Sequence, residues 1–319
     1  GILGSFEPAR STWLIAWLAV AVAFFSASQD VALDAYRREI LPDAELGLGS
    51  AIHVQAYRVS SLVPGSLSLI LADSLPWSSV FWITAAFMSV AVVMTLVVDE
   101  PRSELPTGTG LREAVVAPFA EYLGRRGWSG LLLVLGFMFF YKIGDNMATA
   151  LSTPFYLDMG FSKTQIGLVA KHAALWPAIF GGLVGGLIMI KIGINRALWL
   201  FGVVQVVSIL GFAVLANSGP LLWMLAAVIS FEYLGVGMGT AAFTAFIARE
   251  TSKTYAATQF ALFTALAALP RTFANASTGM IVEQVGWVSF FLLCAILAIP
   301  GMLLLLWVAP WQRVQEGEK

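Results

Sequence analysis

The chain is short of most of what keeps a soluble domain in water. Only 12% of its 319 residues are charged, and 18 Lys plus Arg against 19 Asp plus Glu leave a formal net charge of −1. No basic face is available for a nucleic-acid backbone, so nucleic acid is excluded as a partner. One cysteine and two histidines exclude a disulfide framework and leave no ligand set for a metal, so neither metal nor cofactor is expected. No nucleophile, base and orienting group fall into a recognisable arrangement, so the reading is not of an enzyme.

What is present is apolar. Hydrophobic residues make up 59% of the chain and the mean hydropathy is +0.83, the composition of an all-α integral membrane protein. A bilayer needs about 20 apolar residues per helix. Runs of that order lie at 13–33, 49–71, 77–98, 128–151, 166–190, 197–216, 221–248, 256–282 and 287–310. Segments such as LLLVLGFMFF and GMLLLLWVAP lack the alternation of a β-barrel strand. The first run is too long, and wrongly flanked, for a cleaved signal peptide. Cys294, inside FFLLCAILAI, reads as a small buried hydrophobe.

Lysine and arginine set the expected topology. One set of alternate loops holds Arg37, Arg38, Arg102, Arg112, Arg125, Arg126, Lys191, Arg196, Arg249, Lys253, Arg313 and Lys319; the other holds only Arg10 and Lys163. The positive-inside rule then places the amino end of the chain in the periplasm and the carboxyl end in the cytoplasm. The polar stretch 99–127, with an amphipathic piece near its end, reads as a cytoplasmic linker between a partial bundle at 1–98 and a six-helix bundle at 128–310, followed by a tail at 311–319.

A shift of 210 residues lays Trp77, Ser79 and Phe81 on Trp287, Ser289 and Phe291, and Asp73 on Glu283. Five spans precede the second Trp but only two precede the first. If the halves are true repeats, the first three helices of a twelve-helix protein, about 90 residues, are missing here and the nine runs are spans 4 to 12.

Charges remain within the spans: Asp30, Asp34, Arg58, Lys142, Asp145, Lys171, Glu232 and Arg271. At roughly 2.5 to 3.5 kcal/mol each their exposure to lipid would cost on the order of 20 kcal/mol, against a net folding stability of about 5 to 15 kcal/mol. They therefore line a polar interior or pair with one another. Counted as above they fall on spans 4, 5, 7, 8, 10 and 11, while 6, 9 and 12 carry none. That is the pattern expected of the major facilitator fold, two six-helix bundles facing each other across an aqueous cavity with every third helix on the lipid side. Lys142 and Asp145, three residues apart, read either as a self-neutralising pair or as cavity groups. Arg58 and Arg271 suit a carboxylate or phosphate, with Asp30 or Glu232 as alternative partners. Asp34 reads as a gate or structural charge. His172 is more simply a hydrogen-bonded structural residue than a proton relay. The glycine clusters GGLVGG (181–186) and GVGMG (235–239) read as close-packing surfaces.

The motifs SQDVALDA, LPDAELGLGSAI, YKIGDN, FEYLGVGMGTAAF and ATQFALFTALAALPR together resemble the AmpG-type muropeptide permeases of the major facilitator superfamily, in matching order along the chain. The resemblance implies a permease of the inner membrane of Gram-negative bacteria, without an obligate protein partner. It would import N-acetylglucosaminyl-anhydro-N-acetylmuramyl peptides for cell-wall recycling, driven by protons, and so feed β-lactamase induction. On that reading the amino-sugar peptide offers hydroxyls and acetamido groups to Gln55, Asn146, Gln259 and Asn275, and carboxylates to Arg58, Lys142, Lys171 and Arg271. The proton-coupling acids are Asp30, Asp145 and Glu232. The competing readings are a permease for another large anion, such as acetyl-CoA, and a truncated membrane protein that transports nothing.

Overall fold

The computed structural model describes residues 5–6, 8–42, 45–61, 63–68, 71, 75–98, 111–162 and 165–311. Among them are nine α-helices and no strand: α1 Pro8–Ile40, α2 Leu46–Ser60, α3 Trp77–Ala86, α4 Met88–Val97, α5 Leu111–Ala150, α6 Ser152–Asp158, α7 Lys171–Ser218, α8 Leu222–Glu250 and α9 Ala256–Val308, with π-helical turns at Val63–Leu67 and Ile166–Ala170. Six helical stretches among the described residues are long and apolar enough to cross a membrane. The count differs from the expected nine runs because several runs join. Straight, the 48 residues of α7 would reach about 72 Å, more than twice a bilayer core. Gly193 folds the helix back at φ 75°, ψ 165°. Gly286 does the same in α9 at φ 75°, and Gly127 in α5 at φ 66°. A side chain would strain such a backbone, so each fold-back rests on a glycine. The expected 49–71 span instead breaks after Ser60 into the Pro64-containing turn.

Two apolar cores are stacked along the bundle. One gathers Phe137, Tyr141, Phe201, Phe243, Phe246, Phe260 and Phe263; the other gathers Phe155, Ile209, Phe212, Phe290, Phe291 and Cys294. In the second, Phe155 meets Phe212, Trp287 and Phe291 at ring-centroid distances of 6.1, 5.0 and 4.9 Å. Helix α8 lies along α7, and α9 along α5, while α2 packs on both α7 and α8. The glycines of GGLVGG serve two partners at once. A Cβ on Gly186 would come within 2.6 Å of the Ala51 Cβ of α2, and one on Gly185 within 3.0 Å of the Met238 Cα of α8. Gly182 likewise admits the Gln55 side chain, and Gly237 the Ala178 carbonyl. Small residues let helix backbones close where lipid supplies no hydrophobic drive.

One end of the bundle is a clasp built from basic residues. Glu250, at the end of α8, is almost fully buried. Arg126 Nη2 donates to both its carboxylate oxygens at 2.6 and 2.9 Å, Tyr122 OH lies 3.4 Å from Oε2, and Arg125 Nη2 donates to its backbone carbonyl at 2.7 Å. Gln259 Nε2 reaches the Pro118 carbonyl (2.9 Å) and Glu121 Oε2 (2.6 Å), and its Oε1 accepts from Ser252 N at 2.7 Å. Helix α1 joins through Arg38 Nε, 3.1 Å from the Thr251 carbonyl, and through the Arg37 guanidinium, 5.3 Å from the centre of the Phe260 ring.

Candidate functional site

Between the two apolar cores runs a thin polar layer. Helix α5 brings Lys142 and Asp145 to one face because three residues make nearly one turn. Lys142 Nζ donates to Asp145 Oδ2. The side chain of Asp145 is 5% exposed and its Oδ1 has no hydrogen-bond partner. Beyond Asp145 lies a void of only about 10 Å³, walled by Tyr141, Gln205, Ile209 and Met302, which is at most a single water's room. Helix α8 supplies Glu232, fully buried, whose Oε2 accepts from Ser208 Oγ at 2.5 Å and whose Oε1 is unpartnered. Asp145 and Lys142 both lie within its electrostatic reach.

Arg58 comes to this layer from α2. It is partly exposed and sits within the fields of Asp145 and Tyr233. Tyr233, the neighbour of Glu232 on α8, is also within reach of Glu232. Among the described residues the layer thus holds two cations and two carboxyls. Three of these four are on α5 and α8, and Arg58 comes from α2.

The other expected residues are spread more widely. Asn146 is partly buried beside Asp145, and Asp30 is exposed on α1. Asp34 is ion-paired with Arg37 at 2.8 Å, with His53 Nε2 at 3.6 Å, at the basic end. Gln55 is buried against Gly182, with neither amide atom hydrogen-bonded. The structure places Gln259 in the basic clasp, with its amide fully engaged there. The side chains of Lys171, Arg271 and Asn275 lie outside the described residues. His172 is exposed, its Nδ1 2.8 Å from the Leu168 carbonyl.

Sequence reasoning passed over Ser208, Gln205 and Tyr233. The 197–216 run carries no charge and was expected on the lipid side. Its outward face is indeed apolar and exposed at Leu200, Val203 and Val207, but its inward face gives Ser208 to Glu232 and Gln205 Nε2 to the Gly235 carbonyl at 3.2 Å. The available signal was the three-residue spacing of Gln205 and Ser208 in FGVVQVVSILG, which puts both on one face.

Known proteins resemble this arrangement throughout its length. The family model of the Major Facilitator Superfamily matches residues 1–275. An uncharacterised protein of Haemophilus influenzae is 50% identical over 327 residues, spanning all of this chain and 76% of its own length. The anhydromuropeptide permease of Escherichia coli K12 is 39% identical over 307 residues, or 95% of this chain; the chain spans 62% of that relative's length. Together with the all-helical fold and its apolar helices, these matches make the chain a multi-pass membrane protein of the Major Facilitator Superfamily, related to the anhydromuropeptide permeases.

Proposed function

We propose that the protein imports anhydromuropeptides across the bacterial inner membrane, from periplasm to cytoplasm, by proton-coupled alternating access. The supporting observation is the buried layer of Arg58, Lys142, Asp145 and Glu232 in a chain related to a named anhydromuropeptide permease. In this reading residues 1–98 form part of one bundle and 128–310 the other, joined by the linker 99–127. The basic clasp faces the cytoplasm, in accord with the loop charges.

Coupling follows from counting charges in the layer. With Arg58 close, two cations face two carboxyls. When α2 swings away with its bundle, Lys142 is the one cation among the described residues that still faces Asp145 and Glu232, and a second bare carboxylate would be left uncompensated in a dry interior. A proton on the carboxyl pair relieves that surplus. Arg58 and the proton are therefore alternative neutralisers, which ties the protonation of the pair to the position of α2. A substrate carboxylate that recruits Arg58 or Lys142 frees the pair to take its proton, so substrate and proton load together. Asp30, Asn146, Lys171, Arg271 and Asn275 are the remaining groups assigned to substrate or proton, and Asp34 stays a gate charge.

The test is uptake of labelled anhydromuropeptide by the full-length transporter in Gram-negative cells deprived of their own permease. Uptake should be abolished by a protonophore, blocked by excess unlabelled muropeptide and unaffected by coenzyme A thioesters. Inhibition by the thioesters instead would transfer the assignment to another large anion.

A further inference from the structure

At the basic end a groove of about 820 Å³ opens between the start of α2 and the Gly193 fold-back of α7. Lys191, Arg196 and Arg249 line it, with Glu45 the one acid among the described lining residues. The fold-back concentrates charge here, because it brings Lys191 from one arm of α7 and Arg196 from the next to one rim. Lys191 and Arg196 are exposed, and Arg196 is tied down only loosely, its Nε 3.5 Å from the Trp311 carbonyl and its guanidinium 6.0 Å from the Trp311 ring. Arg249 is already engaged, by Asn195 Oδ1 at 2.7 Å and by the Phe246 ring, whose centre is 5.5 Å from its guanidinium.

The remaining walls are apolar, with Leu41, Leu48 and Met189 in the groove and Ile52 and Ile190 on its lip. The two isoleucines are 52% and 53% exposed, and Leu187, about one turn from Ile190, is exposed as well. The groove thus runs from a cationic floor onto the apolar outer surface of the bundle. A free inorganic anion would use the cations alone and make no use of the apolar lip.

We propose that this groove is a binding site for an anionic glycerophospholipid. Its phosphodiester sits between the exposed Lys191 and Arg196, and an acyl chain lies along Ile52 and Ile190. Helix α2 walls one side and α7 the other, so a bound lipid bridges the two parts of the molecule that meet there. It stabilises the arrangement in which their basic ends are together.

The experiment is a titration of the purified full-length protein in detergent with phosphatidylglycerol or phosphatidylcholine, read by native mass spectrometry and thermal stability. A saturable phosphatidylglycerol adduct and a raised Tm are expected, with no such response to phosphatidylcholine. Replacing both exposed cations, Lys191→Gln with Arg196→Gln, should weaken the adduct by about thirtyfold, at roughly 1 kcal/mol per cation. Lys253→Gln, an exposed cation outside the groove, should leave it unchanged. A double variant whose lipid-free Tm matches the parent yet retains the lipid equally would overturn the proposal in favour of general surface attraction. Displacement of the lipid by millimolar inorganic phosphate or glycerophosphate would overturn it in favour of a free-anion site.

Discussion

Helix α8 carries two buried glutamates, Glu232 and Glu250, eighteen residues and about 27 Å apart along the helix axis. Their surroundings are opposite. Glu250 is held by an arginine whose Nη2 donates to both its carboxylate oxygens and by a tyrosine, with a second arginine on its own carbonyl. Glu232 has one hydroxyl on one oxygen, no hydrogen-bond donor on the other, and the Asp145 carboxyl close enough to interact with it. A buried charge with every valence occupied is a fixed part of the scaffold, whereas one left partly unsatisfied is free to change its protonation or its partner. Burial alone does not separate the two roles; the partners do.

The largest effect should come from breaking the satisfied glutamate. Arg126→Ala strands the buried Glu250 carboxylate and should cost about 3 to 5 kcal/mol, in the range measured for breaking buried pairs. The outcome would be a large drop in Tm or loss of folded protein in detergent. Glu250→Ala should cost less, because the partly exposed Arg126 can turn to water, and Glu250→Ala combined with Arg126→Ala should lose less than the sum, as a cycle between direct partners requires. Retention of the parent Tm in both single variants would remove the structural half of the contrast.

Next comes the glycine seam. Gly186→Val forces a side chain against Ala51, an overpacking cost of about 1 to 3 kcal/mol. That cost falls on the arrangement with α2 against α7. Gly47 of α2 also lies against Met189 of α7, whose Cβ a Cβ on Gly47 would approach within 2.9 Å; labelling of a cysteine introduced near that contact should therefore quicken, while the Tm falls only modestly. Unchanged labelling would mean that the seam is no moving surface.

Glu232→Gln is expected to act in the reverse sense to Glu250→Ala. Its fold should persist, because a neutral amide keeps the shape and accepts from Ser208, while gradient-driven accumulation of substrate should disappear. Asp30→Asn should be the mildest change of all in stability, since Asp30 is exposed on α1. Its effect on uptake measures whether the exposed carboxyl belongs with the coupling groups.

The positions of the helices were legible because apolar run length is a local property that the bilayer imposes. The Lys142–Asp145 pair was legible for the same reason, lying within one turn of one helix. Glu250 was not legible. It sits beside Arg249 in what reads as one more charged loop, and its partners Tyr122 and Arg126 are more than 120 residues earlier. The clasp contacts of Gln259 were not legible for a related reason: a polar residue early in a span looks the same whether it faces a cavity or ties down the helix end. The fold-backs at Gly127, Gly193 and Gly286 lie in plain sight, but only the backbone shows which of the chain's 29 glycines turn it. Ser208 was hidden by counting charges alone, which gave its uncharged helix a single, outward face.

The most direct test of the coupling claim is transport by the full-length protein in proteoliposomes, with and without an imposed pH gradient, for the parent and for Glu232→Gln. The parent should accumulate labelled anhydromuropeptide only with the gradient. Glu232→Gln should still exchange labelled for unlabelled substrate at equilibrium but should gain nothing from the gradient. Gradient-driven accumulation by Glu232→Gln at the parental level would contradict the account, because the unsatisfied glutamate would then carry no proton that matters to transport.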